Sequence, residues 1–425
     1  MTDRRSFIRN GSAGLLALFL PQTRADWDDS CKFKGPDTDR SERSWKQIRR
    51  EFPLQKDPVF MNNGTMGPSP KPVIDAFHDA VMYTNVSAKY GGGEKEAVSA
   101  LSTLLHCDEE ELALTHNVTE GINTAVWGIP LKAGDEVILT DQEHVGNGLP
   151  WVYRAKKDRL QIKAISLGKT AEETLDLLKA AVGPKTKVIA VPHIPCTNGQ
   201  VLPIKDICTF AREKGIYSLI DGAHGTGMMQ LNLHDMGCDV YASCCHKWLL
   251  APKGTGYVYV RKEFQETLET LYVGGHTGLK WSVHKDHPFV ADEFTHGAHK
   301  YYYGTQSRAL YMGIEAAVKY HLSIGPERIE ARIRELNQYL YSGLQDFGDR
   351  IEFMTPEEAI SRCGVVSFRF PGKDNAEPKK ALGKSGFIVR YVPESDLNCM
   401  RVSTHIYNSE DEIDTLLSTL KRLAS

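Results

Sequence analysis

The sequence predicts an α/β protein with a mostly parallel sheet, followed by a smaller α+β unit. Between Leu112 and about Val260, apolar runs of four to eight residues alternate with stretches of helical periodicity. Such alternation is the pattern of parallel strands joined by crossover helices and covered on both faces. After about Tyr311 it stops: Gly313–Ile324 and Glu327–Phe347 read as long amphipathic helices, and Cys363–Phe370, Phe387–Tyr391 and Cys399–Ser403 as strands. The third observation is positional. Thr119, His144, Asn198, Asp221 and Lys247 each fall just past the end of an apolar run, where ligands collect in open α/β sheets.

Taken in order, residues 1–25 carry Asp3-Arg4-Arg5-Ser6-Phe7-Ile8-Arg9, the apolar Leu15–Leu20, and a small-residue close at Ala25. Charged, apolar and cleavage regions in that order look like a twin-arginine export signal. The expectation is a periplasmic protein carried folded by the twin-arginine (Tat) machinery and cleaved near Ala25. No cysteine follows Leu18-Phe19-Leu20-Pro21, so a lipid anchor is not expected. Residues 26–58 read as a linker with a short helix around Trp45 and Ile48. Val59–Asn62 reads as a short strand that breaks into a Gly/Pro loop and pairs with the later unit. Pro72–Val86 and Ala97–His106 read as helices. The large domain is placed at 59–308 and the small one at 309–425.

Composition narrows the function class. The chain has 425 residues and a net charge of −3, which gives no electrostatic footprint for nucleic acid or an anionic membrane. No apolar run reaches the roughly 18 residues of a membrane span. The nine cysteines are scattered without CxxC pairs, so neither a disulfide framework nor a zinc ribbon is indicated. His276, His284, His287, His296 and His299 fit no tight zinc motif such as HExxH. No metal is expected, and the segment is read as a mobile loop lining an entrance.

The chemistry centres on Asp239–Val260, DVYASCCHKWLLAPKGTGYVYV. Lys247 stands between an apolar strand and a strand-turn-strand. An amine held on rigid elements and partly desolvated is freed to act as a nucleophile. Asp221 closes the apolar run Ile216–Ile220, 26 residues upstream. Asn117-Val118-Thr119-Glu120 opens a helix after a strand, where free amides can hold an anion.

With these residues in place, the chain resembles the class-V aminotransferase family, the pyridoxal-phosphate (PLP) enzymes of fold type I that include cysteine desulfurases and isopenicillin N epimerase-like proteins. The match runs from Phe60-Met61-Asn62-Asn63-Gly64 to Arg401–Asn408. The resemblance implies a large domain with a mostly parallel, seven-stranded-type sheet, PLP as cofactor, and a homodimer with shared active sites. By it, Lys247 forms the Schiff base with the cofactor and serves as base or acid at the substrate Cα. Asp221 pairs with the pyridinium nitrogen, His144 stacks on the ring, and His224, at a position that is often Gln, bonds the ring 3-oxygen. Val118, Thr119 and His246 hold the phosphate, with Cys244 where many members have Ser. Thr305, in Gly304-Thr305, reaches the phosphate of a neighbouring subunit. Asn198 and Arg401 hold the α-carboxylate of an amino-acid-like substrate, with Arg390 as a second candidate.

One departure bears on the reaction. Cysteine desulfurases need a nucleophilic Cys on a loop between the last strands, and Arg390–Asp396 has none. The epimerase-like branch is therefore expected: epimerase or aminotransferase chemistry at the Cα of an amino acid or an amino-acid-containing metabolite. Cysteine desulfurase or C–S lyase activity, modification of a siderophore side chain, and a catalytically silent PLP-binding protein are the alternatives. Cys196, Cys244 and Cys245 keep the desulfurase reading open.

Overall fold

The computed structural model describes residues 44–89, 91–286 and 290–424. The expected export signal, most of the linker, Tyr90 and His287 lie outside them. The first described element is the short helix Trp45–Arg49, capped by Ser44 and buried through Ile48.

The strand β1 (Val59–Phe60) pairs in parallel with Phe387–Ile388, as the sequence suggested, and Asn62 bridges to Ser403. Helices Lys71–Ser87 and Glu94–Leu105 follow. Between them Gly92 has a left-handed backbone (φ +83°), and a Cβ there would lie 2.4 Å from the Arg308 guanidinium. The large sheet is built from β2 (Leu112–Thr115), β3 (Glu136–Thr140), β4 (Gln161–Ile165), β5 (Thr186–Pro192), β6 (Tyr217–Asp221), β7 (Val240–Cys244) and β8 (Gly256–Val260). Among the described residues these seven form one sheet in the order β2-β8-β7-β6-β5-β3-β4.

Two strands depart from the simple reading. β8 runs antiparallel to both neighbours, because a loop returns it directly beside β7 instead of a crossover helix carrying it to the far side. β4 is an edge strand with exposed positions, so its apolar character is weaker than that of the buried β5, whose central residues Val188–Val191 are fully enclosed.

Part of the His-rich segment is a hairpin, although His276, His284, His296 and His299 lie outside its strands. β9 (Gly278–Ser282) and β10 (Val290–Phe294) pair as an antiparallel hairpin, with Leu279, Trp281 and Val283 exposed along one face. Their alternation is the period of a strand.

The C-terminal part opens with helices Arg308–Ile324 and Pro326–Gln345. Its strands are β11 (Glu352–Phe353), β12 (Val365–Arg369), β13 (Phe387–Ile388), β14 (Arg390–Val392) and β15 (Cys399–Ser403). β11, β12, β15 and β14 make an antiparallel sheet, packed on the second of those helices and on Glu410–Ala424 through Leu336, Leu340, Phe368, Met400 and Leu416. Arg401 lies opposite Arg390 in this sheet. No described helix is long and apolar enough to cross a membrane.

Candidate active site

Lys247 lies two residues beyond Cys245, just after β7, in a segment fastened at several backbone points. Cys245 N donates to Thr255 O at 3.0 Å, and Ala251 N to Cys245 O at 3.0 Å. The Asn63–Gly67 loop lies on top: Gly67 N donates to His246 O at 2.9 Å. A Cβ on Gly67 would fall 2.0 Å from the Lys247 carbonyl, so glycine permits this contact. Lys247 Nζ is 3.3 Å from His224 Nε2.

His224 is enclosed, and Trp248 Nε1–H donates to its Nδ1 at 3.2 Å. Burial, with the charges of Lys247, Arg401 and His144, holds the imidazole well below its usual range, so it is neutral. Asp221 ends β6 and is buried. Its carboxylate accepts from Ala223 N at 2.9 Å. Burial pushes its carboxyl upward, opposed by the Ala223 amide and by the charges of Lys247 and His144.

His144 caps helix Val145–Asp158: its Nδ1 accepts from Gly146 N at 3.0 Å. That bond fixes the ring's orientation and leaves Nε2 as the donor. Burial and Lys247 lower its pKa while Asp221 raises it. A Cβ on Gly146 would lie 2.7 Å from Thr119 Oγ1, so the N-terminus of this helix meets that of Val118–Gly128. The latter is capped by Asn117, whose side chain accepts from Glu120 N at 3.0 Å. The amides of Val118 and Thr119 come before the first intrahelical bonds, the position at which a helix can hold an anion.

His246 Nδ1–H donates to Thr255 O at 3.2 Å, so Nε2 can donate to an anion only as imidazolium. Burial lowers its pKa, and a bound dianion opposes that. Cys244 shares the strand face of Ala242, which packs on Gly121 of the Val118–Gly128 helix. Its Sγ is 3.6 Å from Ala223 O, and burial pushes the thiol up to about 11. Ser243 bonds Gly222 O and Thr226 instead.

Arg401 is fully enclosed. NH1 donates to Cys196 O at 2.9 Å, and NH2 to Asn62 Oδ1 at 3.1 Å and Thr65 Oγ1 at 2.8 Å. All three partners are neutral, and Nε has no partner. Burial pushes the guanidinium down to about 10. Arg390 differs, because it is ion-paired with Glu394. Gly64 joins the two halves of the site: a Cβ there would lie 3.2 Å from Arg401 NH2, His224 Cε1 and Ser403 Oγ alike. The absence of a side chain keeps the space between His224 and Arg401 open.

Asn198 Oδ1 accepts from Gln200 N at 3.1 Å. Asn198 also lines a cleft of about 860 Å³ together with Asp141, Gln142, Thr355 and Leu397. Thr305 is exposed, just before helix Arg308–Ile324. Trp248, Gly64, Asn62 and Thr65 are the site residues that sequence reasoning did not assign. Their partners are distant in sequence, and only the glycine-rich Asn62–Gly67 run hinted at a close approach.

Among the described residues, Asp108, Glu111 and His234 bring ligand atoms within 4.8 Å of one another. Within this group His234 Nε2 is 2.6 Å from Glu111, which also accepts from Tyr259 and Lys262.

Residues 63–416 match the aminotransferase class-V family profile. The chain belongs to the class-V aminotransferase family. It is 29% identical over 397 residues to isopenicillin N epimerase of Streptomyces clavuligerus, covering 89% of this chain and 98% of that one. To a probable cysteine desulfurase of Xylella fastidiosa it is 30% identical, covering 89% and 95%. A C-DES variant with glycine covalently linked to its PLP cofactor superposes with a TM-score of 0.80 at 24% identity, covering 89% of this chain and 99% of that one. The fold is that of the type I PLP-dependent enzymes, and the chain is a PLP-dependent enzyme of this family.

The residues present fit that cofactor. The site has an amine at Lys247, a buried carboxylate at Asp221, an oriented imidazole at His144, and open amides at a helix N-terminus.

Proposed function

We propose that this class-V enzyme acts at the Cα of an amino acid, or of an amino-acid group on a larger metabolite. The observation that carries the reading is Arg401, a buried guanidinium with only neutral partners, across the Gly64 opening from His224 and Lys247. A buried charge whose bonded partners are all neutral suits a carboxylate ligand, and the planar fork binds one bidentately. Arg390, held by Glu394, adds positive potential.

When bound, PLP supplies an electron sink for the bond broken at Cα. Lys247 anchors the cofactor and afterwards carries the proton to or from Cα. Asp221 would hold a negative charge for the cofactor's ring nitrogen, the buried carboxylate being kept ionised by the Ala223 amide and the charges of Lys247 and His144. His144, oriented by Gly146 N, would pack against the cofactor ring, and His224 would donate to it from Nε2. The amides of Val118 and Thr119, the Thr119 hydroxyl and His246 hold the phosphate.

Epimerase- or aminotransferase-like chemistry is favoured over sulfur transfer because the loop after Arg390 carries no cysteine, and Cys399 is buried in β15 with its thiol raised by burial. A homodimer suits the exposed apolar stripe Val145, Leu149, Val152 and Tyr153 and the hairpin face of Leu279, Trp281 and Val283; Thr305 then serves the partner's phosphate. Export by the twin-arginine route remains part of the proposal, and a reporter fused to residues 1–25 that stays in the cytoplasm would refute it. Incubating the holoenzyme with an amino-acid panel tests the reaction: α-proton exchange in deuterated water is expected. Sulfide release from cysteine would overturn the preference for the epimerase-like branch.

A further inference from the structure

His224 raises a chemical problem that a glutamine in its place would not. A neutral imidazole has one donor and one acceptor, and nothing intrinsic decides which nitrogen carries the proton. A group meant to donate toward the cofactor side must be prevented from adopting the other tautomer.

Trp248 meets this need. Its indole Nε1–H is a donor only, and it points at His224 Nδ1 at 3.2 Å. Nδ1 must then present its lone pair, and the proton of the neutral ring resides on Nε2. That nitrogen lies 3.3 Å from Lys247 Nζ, which accepts from it only as an uncharged nitrogen with a lone pair. The opposite tautomer would set two N–H groups against each other at Nδ1 of a buried ring, at a cost comparable to a lost buried hydrogen bond.

The indole is held so that it cannot turn away. The Trp248 carbonyl accepts from His405 Nε2 at 2.9 Å, and His321 Nε2 lies 3.1 Å from the same oxygen. The His405 ring stacks on the indole at 5.6 Å between centroids and 25° between planes. Gly364 makes room for the far edge, since a Cβ there would fall 2.4 Å from Trp248 Cη2. His224 has correspondingly little freedom, with 2% of its surface exposed.

We propose that Trp248 is a positioning residue that locks His224 in its Nε2–H tautomer, so that His224 always offers a donor on the Lys247 side. The inference rests on the PLP reading only for the identity of what is met there; the tautomer is a property of the protein alone.

The test is nitrogen-15 NMR of the holoenzyme labelled at histidine, with His224 assigned by the signals missing from His224→Gln. The wild type is expected to show His224 protonated at Nε2 and unprotonated at Nδ1. Trp248→Phe should bring the Nδ1–H form to a detectable population and weaken cofactor retention by on the order of fivefold, the scale of one hydrogen bond. Should Trp248→Phe fail to fold, benzothienylalanine at position 248 keeps the bicycle and removes only the N–H, and it should give the same tautomer change. A proton on Nδ1 in the wild type, or an unchanged tautomer in the variant lacking the N–H, overturns the proposal. Neither result depends on whether Lys247 anchors PLP.

Discussion

Replacing Arg401 with methionine separates what this side chain does for the fold from what it does for a ligand. The guanidinium is buried, and its hydrogen-bond partners are all neutral. Burial pushes its pKa down to about 10, which puts the cost of keeping the charge on the order of 3 kcal/mol. Methionine relieves that cost while filling similar volume. It gives up three hydrogen bonds, to Cys196 O, Asn62 and Thr65, together worth about 3 kcal/mol. Thr65 also donates to Asn62 at 2.9 Å, so those two side chains retain each other. The terms nearly cancel, and the melting temperature should stay within about 3 °C of wild type. Binding behaves differently. Charge-assisted bonds to a carboxylate contribute about 1.5–3 kcal/mol each, so losing a bidentate pair should lower amino-acid affinity by about 100- to 10,000-fold. The assay titrates holoenzyme with an amino acid and with the matching amine that lacks the carboxylate, following the visible band of the bound cofactor. Wild type should prefer the acid, and Arg401→Met should lose that preference. A variant that keeps the preference, or one that melts more than about 10 °C lower, refutes the reasoning.

Further expectations follow from neighbouring geometry. Asp221→Asn keeps shape and removes charge, so cofactor should remain bound while kcat falls by about 100- to 10,000-fold; an unchanged kcat would contradict the role. Gly67→Ala must displace the Lys247 carbonyl, 2.0 Å from the new Cβ. A displacement of about 1 Å at a reacting group costs roughly 100-fold in rate, readable as a fall in kcat without unfolding. Buried His193, His321 and His405 are held down to about 4, about 4 and about 3 by burial. Below pH about 6.5 the unfolded chain therefore binds protons that the folded chain refuses. Stability contributed by these groups is complete above that pH and is lost as pH falls toward 4 and 3. Each adds up to about 1.4 kcal/mol per pH unit, so His405→Gln should flatten the decline in urea midpoint between pH 6 and 4.

Much of the fold is legible because periodicity reports local burial. β5, β6 and β7 are enclosed on both faces and read as apolar runs, and the strand-end positions of Asp221 and Lys247 follow from those boundaries. Direction is harder. Tyr257–Val260 is plainly a strand, but its antiparallel course depends on how the loop after Lys247 turns. The His-rich segment misled because its histidines drew notice, whereas the alternation of Leu279, Trp281 and Val283 was the structural signal. The clamp on Arg401 joins residues 336 and 339 apart, and Trp248 meets His224 across 24 positions. Contacts of this kind leave no trace in local pattern, which is why the chemical residues were readable and the residues that orient them were not.

The central claim is that Lys247 is the amine that anchors PLP. Borohydride reduction of the holoenzyme, followed by digestion and mass spectrometry, tests it directly. The account predicts the reduced cofactor mass on the peptide containing Lys247, and its absence in Lys247→Ala along with the visible band. The cofactor mass on another lysine, or a wild-type protein that carries no cofactor after reconstitution with PLP, would contradict it.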